Sequence, residues 1–255
     1  MDHYDKSSAI PALGHFPREE ISTGTTLIAV EFDQGVIVGT DSRTSSGRFI
    51  ASRCTDKITP VNEHIVCCRS GSAADTQAVT DIVKYRMDLT ERIDCQEPTV
   101  RSAAWEFKKI LFNYRESLSA SVIVAGYDEH AGGQIYSIPL GGMVSRQSCT
   151  ASGSGSTFVH SFLDTNWRAG LGEEEAVEMV KQAVGLATHR DGSSGGIIRI
   201  AIIDKNGTRR QIITPLSHRF PVFNNSVTYN WLSEHMEKDT QVVELVDEIN
   251  EMVVA

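Results

Sequence analysis

Short apolar runs separated by polar breaks fill the first third of the chain. TTLIAVEF (residues 25–32), the turn DQG and VIVGTDSR (36–43) read as a β-hairpin, two β-branched runs around a Gly-containing turn. RFIAS, KITPV and HIVCCRSG (ending at residue 71) read as further short strands. The apolar period then lengthens from two to about 3.6. Over 75–91, Val79, Ile82, Val83 and Met87 share one helical face; over 99–117, Ala103, Phe107, Ile110, Leu111 and Tyr114 do the same. Thr99 is the expected N-cap of that second helix. Strands return with SASVIVAGYD, the loop EHAGG and QIYSIPLGG, a second hairpin.

SGSGS (152–156) then breaks the chain before a helix through Phe158 and Phe162. A longer helix is expected over about 173–189, opened by Glu173, Glu174 and Glu175 at the positive end of its dipole. Ala176, Val177, Val180, Val184 and Ala187 form its apolar face. GIIRIAII, the turn DKNG and RRQIIT make a last hairpin. Grouped strands alternating with grouped helices predict an α+β fold with antiparallel sheets. Ile28–Val30 and Ile197–Ile203 are apolar on both faces, so each needs cover on both sides. Two stacked sheets with helices outside would supply it.

A chain of 255 residues suits one larger domain or two small ones, and neither a repeat nor a linker before residue 220 divides it. The formal charge of −9 gives no global support to nucleic-acid binding. Residues 1–24 contribute −2 and residues 225–255 contribute −6, leaving −1 for the body. The acidic tail places Val242, Leu245, Val246, Ile249, Met252 and Val253 at helical spacing, as a helix packed on its own domain or on a neighbouring subunit. Five cysteines without a C-x-x-C spacing argue against a disulfide framework or a zinc site, and fit reduced thiols in the cytoplasm or nucleus. The leader has no apolar core of secretory type, and no run reaches the roughly 18 apolar residues of a membrane span. The two N-x-S/T sequons, at Asn206 and Asn224, carry little weight without secretion.

The chemistry starts at Gly24-Thr25-Thr26. A threonine hydroxyl is a weak nucleophile that needs a base, and no histidine lies near Thr25 in sequence. Cutting the Gly24–Thr25 bond would give Thr25 a free α-amine with a pKa of about 7.7–8.0, so nucleophile and base come in one residue. The leader then acts as a cap. A nearby lysine would lower the pKa of that amine and stabilise a developing alkoxide. Lys57 in TDKIT is the candidate, with Asp41 in GTDSR as its counter-ion. Taken singly, these two read equally as a surface cation and a strand-end turn residue. Gly71, just before a helix in RSGSAADTQ, offers backbone N–H groups for an oxyanion, or is an ordinary strand-to-helix turn. GSGST lacks the Gly-Lys-Ser/Thr of a phosphate loop, and Ser154 with His160 lacks the G-x-S-x-G elbow of a serine hydrolase.

GTTLIAV, GVIVGTDSRT, TDKITPV, CCRSGSAADTQA, GSGST and RDGSSGG, in this order, resemble the catalytic beta subunits of the 20S proteasome, and most closely the eukaryotic caspase-like beta-1 type. The resemblance runs from about Gly24 to Thr214. It implies a four-layer αββα sandwich of the N-terminal-nucleophile hydrolases, with residues 1–24 a propeptide, 25–220 the hydrolase domain and 221–255 a C-terminal extension. It implies Thr25 as the nucleophile, exposed by autolysis after Gly24, with Lys57 and Asp41 beside it. Ser154, Asp191 and Ser194 would complete the polar network around the amine, and Gly71 would supply the oxyanion N–H. Thr44, Ser45, Thr55, Arg69, Ala73 and Thr76 would line the substrate pocket; Ser45 stands where the family usually has threonine. Arg69 at the pocket base would favour an acidic side chain before the cleaved bond, unless it serves a structural ion pair. The implied partners are the other alpha and beta subunits of a 28-subunit, four-ring core and unfolded polypeptide substrates, with no cofactor, metal, nucleic acid or membrane. The rival expectation is a non-catalytic ring subunit or an unprocessed precursor; the presence of Gly24, Thr25, Asp41 and Lys57 together argues against the first.

Overall fold

A computed structural model describes residues 24–47 and 49–223. The expected propeptide, apart from Gly24, and the amphipathic tail lie outside the described residues. Strands β1 (Leu27–Phe32) and β2 (Gly35–Thr40) form the first hairpin, in register from Leu27↔Thr40 to Phe32↔Gly35. A two-stranded ribbon follows, β3 (Thr44–Ser46) and β4 (Phe49–Ser52), then β5 (Ile58–Pro60) and β6 (Ile65–Gly71). Helices α1 (Ala73–Asp94) and α2 (Val100–Asn113) come next. Thr99 caps α2 as expected, accepting from the Ser102 amide at 3.1 Å. The chain continues through β7 (Ala120–Asp128), β8 (Gly132–Ile138), β9 (Ser145–Arg146) and β10 (Cys149–Ser152). A 3₁₀ turn (Ser154–Phe158), α3 (His160–Asn166), α4 (Glu173–Arg190), β11 (Ile198–Asp204) and β12 (Gly207–Ile213) complete it.

All the strand pairings are antiparallel, in one sheet ordered β10-β1-β2-β11-β12 and another ordered β5-β6-β7-β8-β9. The fold is α+β. Strand alternation divides β1 between two cores. Leu27 and Ala29 join Val36, Val38, Ala201 and Ile203 of their own sheet and Val66, Cys68, Ile123 and Ile135 of the other in one buried cluster. Ile28 and Val30 join Val159, Leu163, Val180 and Val184 from the α3–α4 side. A third cluster seats Val79, Val83, Phe107 and Leu111 of α1 and α2 on Cys67, Val122 and Val124. Both faces of the central strands are therefore apolar because each meets a different core.

Three expectations need correction. Ile82 is 43% and Tyr114 60% exposed. The buried line of α1 is Val79, Val83 and Met87, with Ile82 on its flank; Tyr114 caps α2, where the helical period no longer aims it inward. The segment after SGSGS is a 3₁₀ turn followed by a short helix, and Val159 and Leu163 enter the core instead of Phe158, which is 43% exposed.

Candidate functional site

The start of β1 is flanked by two neighbours. Leu27 pairs with Thr40 on β2 and with Ser152 on β10. Asp41, one residue past β2, therefore arrives on one side of Thr25 and Thr26, and Ser154, two residues past β10, on the other. Lys57 comes from the second sheet, directly before β5, and Asp191 caps the end of α4. Ser194 sits in the loop leading to β11.

These residues form one network. Lys57 Nζ donates to Asp41 Oδ1 at 2.7 Å and to the carbonyl oxygen of Gly24 at 3.1 Å. Both side chains are almost wholly buried, so neither could carry charge there without the other. Burial pushes the Lys57 amine down and Asp41 pulls it back up; the balance lies below the ordinary lysine value. The Thr26 amide donates to Asp41 Oδ1 at 2.9 Å, and the amides of Arg43 and Gly195 donate to Oδ2 at 3.1 and 3.0 Å. On the other side, the Thr25 N–H donates to Ser154 Oγ at 3.1 Å, and Ser154 Oγ donates to Asp191 Oδ2 at 2.7 Å. Ser194 Oγ donates to the same oxygen at 2.6 Å, and the Ser193 amide donates to Oδ1 at 3.0 Å. Burial pushes Asp191 up, but the hydroxyls of Ser194 and Ser154 and the Ser193 amide outweigh it, so Asp191 stays below the ordinary aspartate value.

Two glycines are sterically required. A Cβ on Gly24 would lie 1.9 Å from Ser193 Cβ and 2.7 Å from its carbonyl oxygen. Gly71 ends β6 at φ +105°, where a Cβ would also lie 2.3 Å from the Ser119 carbonyl oxygen. Ser72 follows it as the N-cap of α1.

The expected pocket residues come from the β3–β5 segment, the end of β6 and the start of α1. Thr44 Oγ1 donates to Thr55 Oγ1 at 2.8 Å, and Ser45 neighbours Thr44 on β3. Ala73 opens α1, and Thr76 is buried one turn later, its hydroxyl donating to the Ser72 carbonyl at 2.9 Å. Arg69 on β6 is tied to the Lys57 segment: its amide donates to the Lys57 carbonyl at 3.1 Å. Its Nη2 donates to the backbone oxygen of Asp56 at 3.4 Å, and its buried Nε has no partner. Among the described residues no carboxylate pairs with Arg69, so the structural ion pair considered from sequence does not form.

Sequence reasoning passed over Thr26 and Arg43. Thr26 Oγ1 lies 2.7 Å from Ser194 Oγ, and Arg43 Nη1 donates to the Gly192 carbonyl at 2.8 Å. The doubled threonine of GTT was the available signal for Thr26; nothing local marks Arg43. Among the described residues no group of histidines, cysteines and carboxylates is placed to hold a metal, and no helix is long and apolar enough to cross a membrane.

The proteasome subunit family model matches residues 21–203. The chain belongs to the proteasome subunit family. Proteasome subunit beta type-6 of Dictyostelium discoideum is 47% identical over 193 residues, covering 76% of this chain and 90% of that protein. The probable proteasome subunit beta type-1 of Schizosaccharomyces pombe is 46% identical over 207 residues (81% and 92%), and beta type-1 of Saccharomyces cerevisiae 44% over 203 (80% and 94%). The matched span of this proteasome subunit contains Thr25, Asp41, Lys57, Ser154, Asp191 and Ser194.

Proposed function

We propose that this chain is a catalytic beta subunit, a threonine endopeptidase that frees its own Thr25 and then cleaves after acidic residues. The observation that carries this reading is Lys57, whose buried ammonium bridges Asp41 and the Gly24 carbonyl. In self-cleavage Thr25 Oγ1 attacks the Gly24 carbonyl carbon while Lys57 stabilises the developing oxyanion. The acyl group passes from nitrogen to oxygen, and water hydrolyses the ester. Residues 1–24 then leave as the propeptide, and Thr25 gains its amine. Ser154, already on that nitrogen, and Asp191, which holds Ser154, orient the amine as the base for later substrates, with Ser194 supporting Asp191. Gly71 contributes the oxyanion N–H.

Thr44, Ser45, Thr55, Ala73 and Thr76 form the pocket around Arg69, whose guanidinium meets no carboxylate among the described residues and so favours an acidic side chain of the substrate. The three cores support a four-layer αββα sandwich over residues 25–220. Family membership supports assembly with other proteasome subunits; the 28-subunit core of alpha and beta subunits, its unfolded, ubiquitin-targeted substrates and its place in cytoplasm and nucleus are part of the proposal. The test is Thr25→Ala in the assembled particle. Cleavage of acidic-site peptides by this subunit should fall by about 10³-fold or more, with residue 24 still attached by intact mass and assembly retained. Full acidic-site activity in that variant would overturn the nucleophile assignment.

A further inference from the structure

Arg69 is useful to an acidic substrate only while no acid of its own chain neutralises it, and one such acid is at hand. Asp56 sits between Thr55 and Lys57, and Arg69 Nη2 already touches its backbone oxygen. Its carboxylate, however, is engaged elsewhere. Asp56 Oδ1 accepts the Ile58 amide at 3.0 Å and Arg210 Nη2 at 2.8 Å, and the same Arg210 nitrogen reaches the Ile58 carbonyl at 3.3 Å. Arg210 lies on β12 directly opposite Ala201, a residue of the core shared by the two sheets, so it is on the side facing β5. Its neighbour Arg209 pairs instead with Glu173 and Asp204. On the adjacent strand Arg199 Nη2 donates to the Cys54 carbonyl at 2.9 Å, holding the same segment from the first sheet.

We infer that Arg210 is a specificity-positioning residue: by holding the Asp56 carboxylate it keeps that charge off Arg69 and leaves Arg69 for the substrate's acidic side chain. This rests on the reading of Arg69 as the pocket cation. Asp56 is a genuine competitor. Burial pushes its carboxyl up, but Arg210 and the Ile58 amide hold it below the ordinary aspartate value, so it is ionised at neutral pH. Without Arg210, two cations remain near that carboxylate: Arg199, whose charge already acts on it but whose Nη2 is held by the Cys54 carbonyl, and Arg69, already in contact with the Asp56 backbone oxygen. An internal counter-ion needs no association step, and it would occupy the guanidinium before a peptide does.

The experiment uses assembled particles with the other peptidase sites blocked, and two fluorogenic peptides that differ only in Asp or Leu before the cleaved bond. Arg210→Met should lower kcat/KM for the Asp peptide about tenfold, mainly through KM, with the Leu peptide unchanged. Asp56→Asn alone should keep the acidic preference. The double variant Asp56→Asn/Arg210→Met should return to within about threefold of the parent, a coupling that simple loss of packing would not give. An unchanged Asp/Leu ratio in Arg210→Met, a double variant as impaired as the single, or loss of preference in Asp56→Asn would each overturn the inference. Where Arg210→Met fails to assemble, Arg210→Gln takes its place and must show the same loss for the Asp peptide and the same rescue by Asp56→Asn, or the inference falls. Arg69→Met separates the two levels. If it abolishes the preference while Arg210→Met does not, only the inference falls; if it leaves the preference intact, the pocket reading falls too.

Discussion

Asp191 shows how a single side chain ties the site to stability in acid. It accepts two serine hydroxyls and one amide. Those donors hold its folded pKa below the ordinary 3.8, against the upward push of burial. A carboxyl depressed in the folded state contributes stability that is present above its unfolded pKa and is lost as pH falls through its folded value. The thermal midpoint of the parent particle should therefore drop on acidification below about pH 4 more steeply than that of Asp191→Asn. Parallel curves from pH 7 to 3 would show that Asp191 is not the group being titrated. The same variant should lower peptidase activity at neutral pH, since the amide cannot hold Ser154 and Ser194 as a charged acceptor does.

Strand β7 contributes to two cores at once. Its Ile123 lies in the core they share, and its Val122 and Val124 face α1 and α2. Ile123→Ala should cost about 2–5 kcal/mol, read by chemical denaturation, because the surrounding strands cannot collapse into the space. A loss under 1 kcal/mol would mean that the sheets close up locally. This element was legible from sequence, since SVIVA is apolar on both faces and long enough to bury both. The paired helices were legible too, from their period and from Thr99. The ribbon strand β3, the two-residue β9 and the edge strand β10 were not: each is too short for a period to emerge. The site was legible as separate blocks and through their joint resemblance to a family. What joins the blocks was not, because the partners stand far apart in sequence. Thr26 meets Ser194 across 168 positions and Arg210 meets Asp56 across 154. An arginine in the polar half of a hairpin looks like a solvent-facing charge until the register turns it inward.

At the scale of the whole molecule, α1 carries an apolar stripe turned away from its core. Tyr85 and Ile93 are each 70% exposed, with Ile82 and Leu89 between and beside them. Its spacing follows one side of the helix, and a neighbouring proteasome subunit is the partner that the proposed assembly supplies. Replacing Tyr85 and Ile93 by Glu should reduce the share of the chain that sediments with the particle while leaving the fold of the free chain unchanged by circular dichroism. Unchanged recovery in the particle would place the contact elsewhere. The molecule also spreads its chemistry across its two plates. Asp41 leaves the first sheet and Lys57 enters the second, and the 2.7 Å contact between them closes over the core that separates the plates. In the proposed mechanism the site is therefore a gauge of alignment: a slip of one sheet against the other large enough to part Lys57 from Asp41 would stop the chemistry while the strand pairings within each sheet are still intact.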